Sequence, residues 1–189
     1  AEVLKDRVFY EASGGGLTLS GGEPLFQAEF AAGILGLAKA RTIHTCVETS
    51  GFAGAGFLET LVPLTDIFLF DFKEQDPVRH KAYTGVDKDL ILRNLRALDE
   101  LDAKIILRCP IIPGINDRPD HFKGIAGIAE KLNNIREVHV EPYHPLGESK
   151  SRNLGKTWGL PGRGFPPEET VAGWIAAIQA DTAVPVKKA

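Results

Sequence analysis

Residues 13–24 read Ser13-Gly14-Gly15-Gly16-Leu17-Thr18-Leu19-Ser20-Gly21-Gly22-Glu23-Pro24. Five glycines flank a short run, residues 17–20, that alternates like a buried strand. The glycines let the backbone take positive φ or come very close to a bound group. Pro24 suits the first turn of a helix, and the apolar spacing that follows predicts one over residues 25–40. A strand that ends in Gly-Gly-Glu and opens into a helix presents bare N–H groups and one carboxylate at its C-terminal tip. That is where parallel α/β folds hold ligands. No Gly-Lys-Ser/Thr follows, so the stretch is not a P-loop. The glycines precede the strand and pair up after it, so it is not the dinucleotide fingerprint either.

The same alternation continues outward. Strands are expected at residues 17–20, 44–49, 67–72, 104–111 and 137–142, and helices at 2–11, 25–40, 56–64, 87–101, 120–133 and 167–180. Asp87 and Asp120 suit N-caps, and Pro167 suits a first turn enriched in Glu168 and Glu169. Such alternation predicts parallel βα units. Five strands fall short of an eightfold barrel, which needs about 250 residues. The alternatives are an open doubly wound sheet or a partial barrel whose first unit lies before Ala1. Residues 147–167, rich in Gly, Pro, Lys and Arg, read as a long functional loop.

The chain's 189 residues suffice for one domain with a sizeable core. A net charge of −3 points to neither a nucleic-acid groove nor an anionic membrane surface. No apolar run approaches a membrane span, and the charged opening Ala1-Glu2-Val3-Leu4-Lys5-Asp6 is not a signal peptide, so a cytoplasmic protein is expected. Cys46 and Cys109 sit in strand-like runs and read as buried reduced thiols; two distant cysteines make neither a zinc knuckle nor an iron–sulfur site. Methionine is absent even at position 1, where average usage predicts roughly four in the chain, so the sequence is not expected to begin at a natural start codon.

Every expected strand carries polar groups at its C-terminal end. These are Gly21-Gly22-Glu23, then Glu48-Thr49-Ser50-Gly51, then Asp71-Phe72-Lys73, then Arg108, then Glu141-Pro142-Tyr143-His144. Each has a structural alternative. Asp71 and Lys73 share a strand face and could be an ion pair. Arg108 could be a counter-ion for Glu48 or Asp71. Glu48 could cap a helix, and His144 could sit in a turn. Together, the acids, Lys, Arg and His around a Gly-Gly-Glu turn suit a small zwitterionic ligand with hydroxyls. His80 and His121 read as solvated positions, and His139 as packed within its strand.

Five ordered segments carry a resemblance: SGGGLTLSGGEPLFQAEF (13–30), IHTCVETSGF (43–52), FLFDFKEQDPVRHKAYTGV (68–86), ILRCPIIPGIND (106–117) and VEPYHPLGESK (140–150). They resemble the radical S-adenosylmethionine (SAM) superfamily, in particular the activating enzymes of glycyl radical enzymes such as pyruvate formate-lyase. The resemblance implies a partial (β/α)6 barrel, with residues 1–189 forming its five C-terminal βα units. It implies that the backbone of Gly21, Gly22 and Glu23 meets the SAM amino group and that Glu48, where the family commonly has Asp, serves the same group. Asp71 and Lys73 match the family's D-x-K at the SAM ribose and carboxylate, Arg108 an Arg near that carboxylate, and His144 a His near the adenosyl group.

The family's C-x-x-x-C-x-x-C, which holds a [4Fe–4S] cluster, is absent. The resemblance therefore implies a chain lacking the unit that carries the cluster, inactive alone. For the intact enzyme the resemblance implies that the reduced cluster cleaves SAM to methionine and a 5′-deoxyadenosyl radical, which takes a hydrogen from a glycine of the partner enzyme. Reduced flavodoxin or ferredoxin is the implied electron donor. The rival readings are a (β/α) lyase with Lys73 as Schiff-base nucleophile and a SAM- or nucleotide-binding module without chemistry. Two structural expectations follow. Glu23, Glu48, Asp71, Lys73, Arg108 and His144 line one concavity, and the strand at 17–20 lies at a sheet edge.

Overall fold

A computed structural model describes residues 2–54, 56, 58–146, 155 and 164–189. Six parallel strands form one sheet in sequential order: β1 (Gly16–Leu19), β2 (His44–Thr49), β3 (Ile67–Asp71), β4 (Ile105–Ile111), β5 (Ile135–Pro142) and β6 (Val186–Lys188). The helices are α1 (Arg7–Ser13), α2 (Ala28–Lys39), α3 (Leu58–Leu61), α4 (Pro77–Thr84), α5 (Lys88–Glu100), α6 (Pro119–Lys131) and α7 (Glu168–Gln179). Parallel neighbours in sequential order need a crossover at every step. The result is the expected α/β partial barrel, left open, with β1 and β6 at its two edges.

The strand count differs from the sequence reading. The sixth strand has one buried apolar residue, Val186, followed by exposed Lys187 and Lys188, so it carries no periodic signal. Its position comes from the ladder to β5 and from the Val186 N–H, which donates to Gln179 Oε1 at 2.8 Å. Helix α4 was also not anticipated. Asp76 starts it by accepting from the Arg79 N–H at 2.8 Å, with Pro77 in the first turn. Two expected caps are absent. Asp87 occupies an N-cap without capping and pairs with Lys81 at 3.0 Å instead. Asp120 lies inside α6 and pairs with Arg118 at 3.1 Å. Helices expected at 2–11, 25–40 and 56–64 are broken by 3-10 turns at Glu2–Asp6, Pro24–Gln27 and Val62–Leu64. Most of the loop expected at 147–167 lies outside the described residues.

The two faces of the sheet differ. One buries Val47, Phe68, Phe70, Ile105, Leu107 and Val138 against the helices. The other alternates with it and stays half-buried along β2 to β5. It carries Cys46, Glu48, Asp71, Arg108, His139 and Glu141. The register aligns Asp71 with Arg108, and Arg108 with His139. A parallel sheet ordinarily covers both faces with apolar side chains. A second face that is polar and open marks the site.

Candidate functional site

The Gly-Gly-Glu turn is built by a tether. The Glu23 carboxylate turns back from the rim and accepts from Thr49 Oγ1 at 2.6 Å, Ser50 Oγ at 2.6 Å, Ser50 N at 2.9 Å and Leu25 N at 3.3 Å. It thus ties the tip of β1 to the tip of β2 and starts the next helical turn. The sequence reading placed this carboxylate at the rim; the structure spends its lone pairs on the protein. What remains open is backbone. Gly21 takes φ +115, and a Cβ on Gly21 or Gly22 would meet nothing within 4 Å. The β2 tip is held in turn by buried Asn94, whose amide donates to the carbonyls of Gly51 and Ala53, each at 2.7 Å.

The central charge of the open face is Arg108. It bonds Glu141 bidentately, with one contact at 2.5 Å, and Glu48 at 2.8 Å. The Glu141 hydrogen bond, against the penalty of burial, holds the guanidinium firmly protonated. Of the readings the sequence left open, Arg108 is therefore the counter-ion of Glu48, with Glu141 as its second arm. The sequence places Glu141 at its strand tip but gives it no role beside Arg108. Its signal was there: Glu137, His139 and Glu141 fall two apart, three ionisable groups on one face of a strand that should be apolar.

Asp71 and Lys73 approach at 3.6 Å on the neighbouring tip. Asn116 fixes that tip, donating to the carbonyls of Lys73 at 3.0 Å and Pro110 at 2.7 Å. Burial pushes the Asp71 carboxyl above its ordinary range; Lys73 and Arg108 oppose this, while Glu48 and Glu141 add to it. Three carboxylates thus face two cations, and the face carries surplus negative charge. Lys73 is the freer cation, its side chain 42% exposed against 18% for Arg108.

Five of the six expected rim residues line two hollows. One, of about 200 Å³, is lined by Glu23, Ser50, Asp71, Lys73 and His80 among others. The second, of about 450 Å³, is lined by Arg108, Glu141, Tyr143 and exposed His144, with Phe165 and Val171. Glu48 lines neither hollow but pairs with Arg108 of the second. None of the six lies on the opposite end of the sheet, though two hollows stand in place of the single expected concavity.

Both histidines read as solvated are buried. His80 Nδ1 donates to the Val86 carbonyl at 3.0 Å, closing the wall of the first hollow. His121 stacks on Phe72, and its Nδ1 accepts from the Gln75 N–H at 3.1 Å. His139 is half-buried and pairs with Glu137 at 2.7 Å. The cysteines lie on opposite sheet faces, Cys109 buried and Cys46 only half-buried. Burial raises both thiols.

The sequence profile of the radical SAM superfamily matches residues 2–124. The chain belongs to the radical SAM superfamily. This radical SAM chain is 39% identical over 160 residues to the trans-4-hydroxy-L-proline dehydratase activating enzyme of Clostridioides difficile, covering 83% of this chain and 53% of that protein. It is 40% identical over 159 residues to the pyruvate formate-lyase 2-activating enzyme of Escherichia coli, covering 84% and 54%. A crystal structure of a domain of pyruvate-formate lyase-activating enzyme from Bacteroides vulgatus superposes with a TM-score of 0.76 at 26% identity, covering 93% of this chain and 99% of that one. The chain spans about half the length of the curated relatives it matches.

The two cofactors implied by the superfamily fare differently. SAM carries a sulfonium, an ammonium, a carboxylate and hydroxyls; the carboxylate surplus, the open Gly21-Gly22 backbone and exposed Lys73 fit it. A [4Fe–4S] cluster does not fit this chain's side chains. Two cysteines on opposite faces cannot supply four thiolates, and no three His, Cys, Asp or Glu side chains among the described residues come together to hold a metal.

Proposed function

We infer that this chain is the SAM-binding part of an activating enzyme that installs a glycyl radical on a partner enzyme. The observation that carries this is the charged open face of the sheet: Glu48, Asp71 and Glu141 against Arg108 and Lys73, beside a bare Gly-Gly turn. The curated relatives, activating enzymes by name, support it.

In this reading the backbone of Gly21, Gly22 and Glu23 takes the SAM amino group, with Glu48 beside it. Lys73 takes the carboxylate, close to Arg108. Asp71 accepts from the ribose hydroxyls, and His144 flanks the adenosyl group. Bound there, SAM would supply 5′-deoxyadenosyl radical chemistry toward a partner glycine, once an electron from outside this chain cleaves it with loss of methionine. The protein's own work is positioning, and no general base is needed. Arg108 holds Glu48 and Glu141 in place through its ion pairs. Glu23 and Asn116 fix the two tips between which the ligand lies.

The cluster's thiolates come from polypeptide beyond this sequence. The greater length of the relatives and the unpaired side of β1 both support that. The partner is a glycyl radical enzyme, and the electron comes from reduced flavodoxin or ferredoxin, in the cytoplasm. No helix among the described residues is long and apolar enough to cross a membrane. Neither the lyase nor the passive-module reading is favoured by the relatives.

The test uses the full polypeptide containing this chain, loaded anaerobically with iron and sulfide and given SAM and a one-electron reductant. The expected products are methionine and 5′-deoxyadenosine in equal amounts, lost in Asp71→Asn. A loaded protein that binds SAM and leaves it intact contradicts the reading, as does a keto-acid trapped on Lys73 by borohydride.

A further inference from the structure

Away from the rim, the outer helical layer has a gap. Helix α5 packs on α3 and α4, whereas α6 packs on α7. Between α5 and α6 lies a groove of about 310 Å³ floored by Phe72, Leu92, Leu95 and Ile128. Four cations line it, Lys88 and Arg96 from α5 and Lys123 and Lys131 from α6, and no carboxylate does. In a chain of net charge −3 this is a strong local excess.

The pattern is regular. Lys88 and Arg96 are eight residues apart, as are Lys123 and Lys131, so each pair spans about two turns, roughly 12 Å. Both helices follow a strand and precede its parallel neighbour, so they run the same way. The four cations therefore form a clamp at each end of an apolar floor. Midway, a Cβ on Gly127 would meet nothing within 4 Å, which keeps the groove open. Among the described residues Arg96, Lys123 and Lys131 carry no ion pair. Lys88 donates to the Gln75 carbonyl and lies 6.0 Å from the Phe72 ring centre. Glu74, Asp76 and Asp89 lie close enough to act on the Lys88 ammonium, Glu74 and Asp76 also accepting from Arg118 and from the Arg79 N–H; of the other acids, Asp99 accepts from Asn134, Glu130 from Thr182 and Ala183, and Asp120 from Arg118.

We propose that the α5–α6 groove is a docking site for an acidic amphipathic helix of a partner protein. Cationic clamps two turns apart match carboxylates spaced seven or eight residues along a helix, and the apolar floor between them matches that helix's leucine face. A solvated lysine face would not need a gap in the helical layer with a glycine at its centre. The inference is independent of the SAM reading, because no groove residue belongs to the open face.

The test is fluorescence anisotropy of the full chain with a labelled peptide of about sixteen residues, a length at which helices are marginal alone. The peptide carries Leu at helical spacing and Glu pairs two turns apart. Binding in the micromolar range is expected, weakening as salt rises from about 50 to 300 mM. Arg96→Glu with Lys131→Glu is expected to weaken it at least tenfold. So is Gly127→Leu, which fills the groove with a better helix former; both variants keep the wild-type melting midpoint. The proposal is overturned by equal binding of a same-charge peptide broken by proline, by binding indifferent to Gly127→Leu, by displacement with inorganic phosphate at constant ionic strength, or by no binding at all.

Discussion

Lys73 decides between a ligand contact and a structural ion pair. Its side chain is 42% exposed and its contact with Asp71 is 3.6 Å long, so the pair itself is worth at most about 1 kcal/mol. A lost charge-assisted contact to a carboxylate costs roughly 1.5–3 kcal/mol. Lys73→Ala should therefore bind SAM about ten- to a hundredfold more weakly, with a nearly unmoved denaturation midpoint; a collapsed midpoint with intact binding would restore the structural reading. Asp71 works the other way. Its carboxyl is held above its unfolded value by burial, so the folded state resists ionising it. That cost is absent at acid pH and grows as pH rises past the ordinary carboxylate range. Asp71→Asn should raise the melting midpoint at neutral pH and weaken SAM binding, a pairing of gain and loss expected where a site is strained for its ligand. Thermal melts and SAM titrations on the same variant measure both. A variant that loses stability, or that binds SAM as well as wild type, would contradict this.

At the scale of elements, the turn after β1 depends on β2. Glu23 accepts two donors from Ser50 and one from Thr49. Glu23→Ala should leave buried donors short of a partner and cost about 1–3 kcal/mol, with faster amide exchange at Gly21 and Gly22; unchanged exchange would show that the tether is dispensable. The elements also show what the sequence could reveal. Strands β2 to β5 were legible because each buries alternate side chains and runs long enough to display a period. The three-residue β6 has no period, and α4 buries only His80, so neither announced itself. The rim residues were legible from strand-tip positions. Glu141's embrace of Arg108 and the inward turn of Glu23 were not, because each depends on which neighbouring strand supplies the partner. His80 and His121 were misread for the same reason: their burial is decided by the Val86 turn and the Phe72 ring.

The whole molecule is two faces of one sheet, an apolar one that holds the fold and a charged one left free for chemistry. Its pH response should report the first. His121 is fully buried, and burial holds its ring down to about 4. The unfolded chain takes up a proton near 6.5 that the folded chain refuses, so stability should fall as pH drops from about 6.5 to 4, by up to about 3 kcal/mol. Urea midpoints for wild type and His121→Gln across that window check it; identical slopes would remove His121 as the cause. The charged face is tested most directly by following the backbone amides of the isotopically labelled chain in NMR spectra as SAM is added. Shifts confined to Gly21, Gly22, Glu48, Asp71, Lys73 and their neighbours on the open face are the predicted result. Saturable shifts elsewhere that leave these residues unmoved would contradict the assignment of that face to SAM.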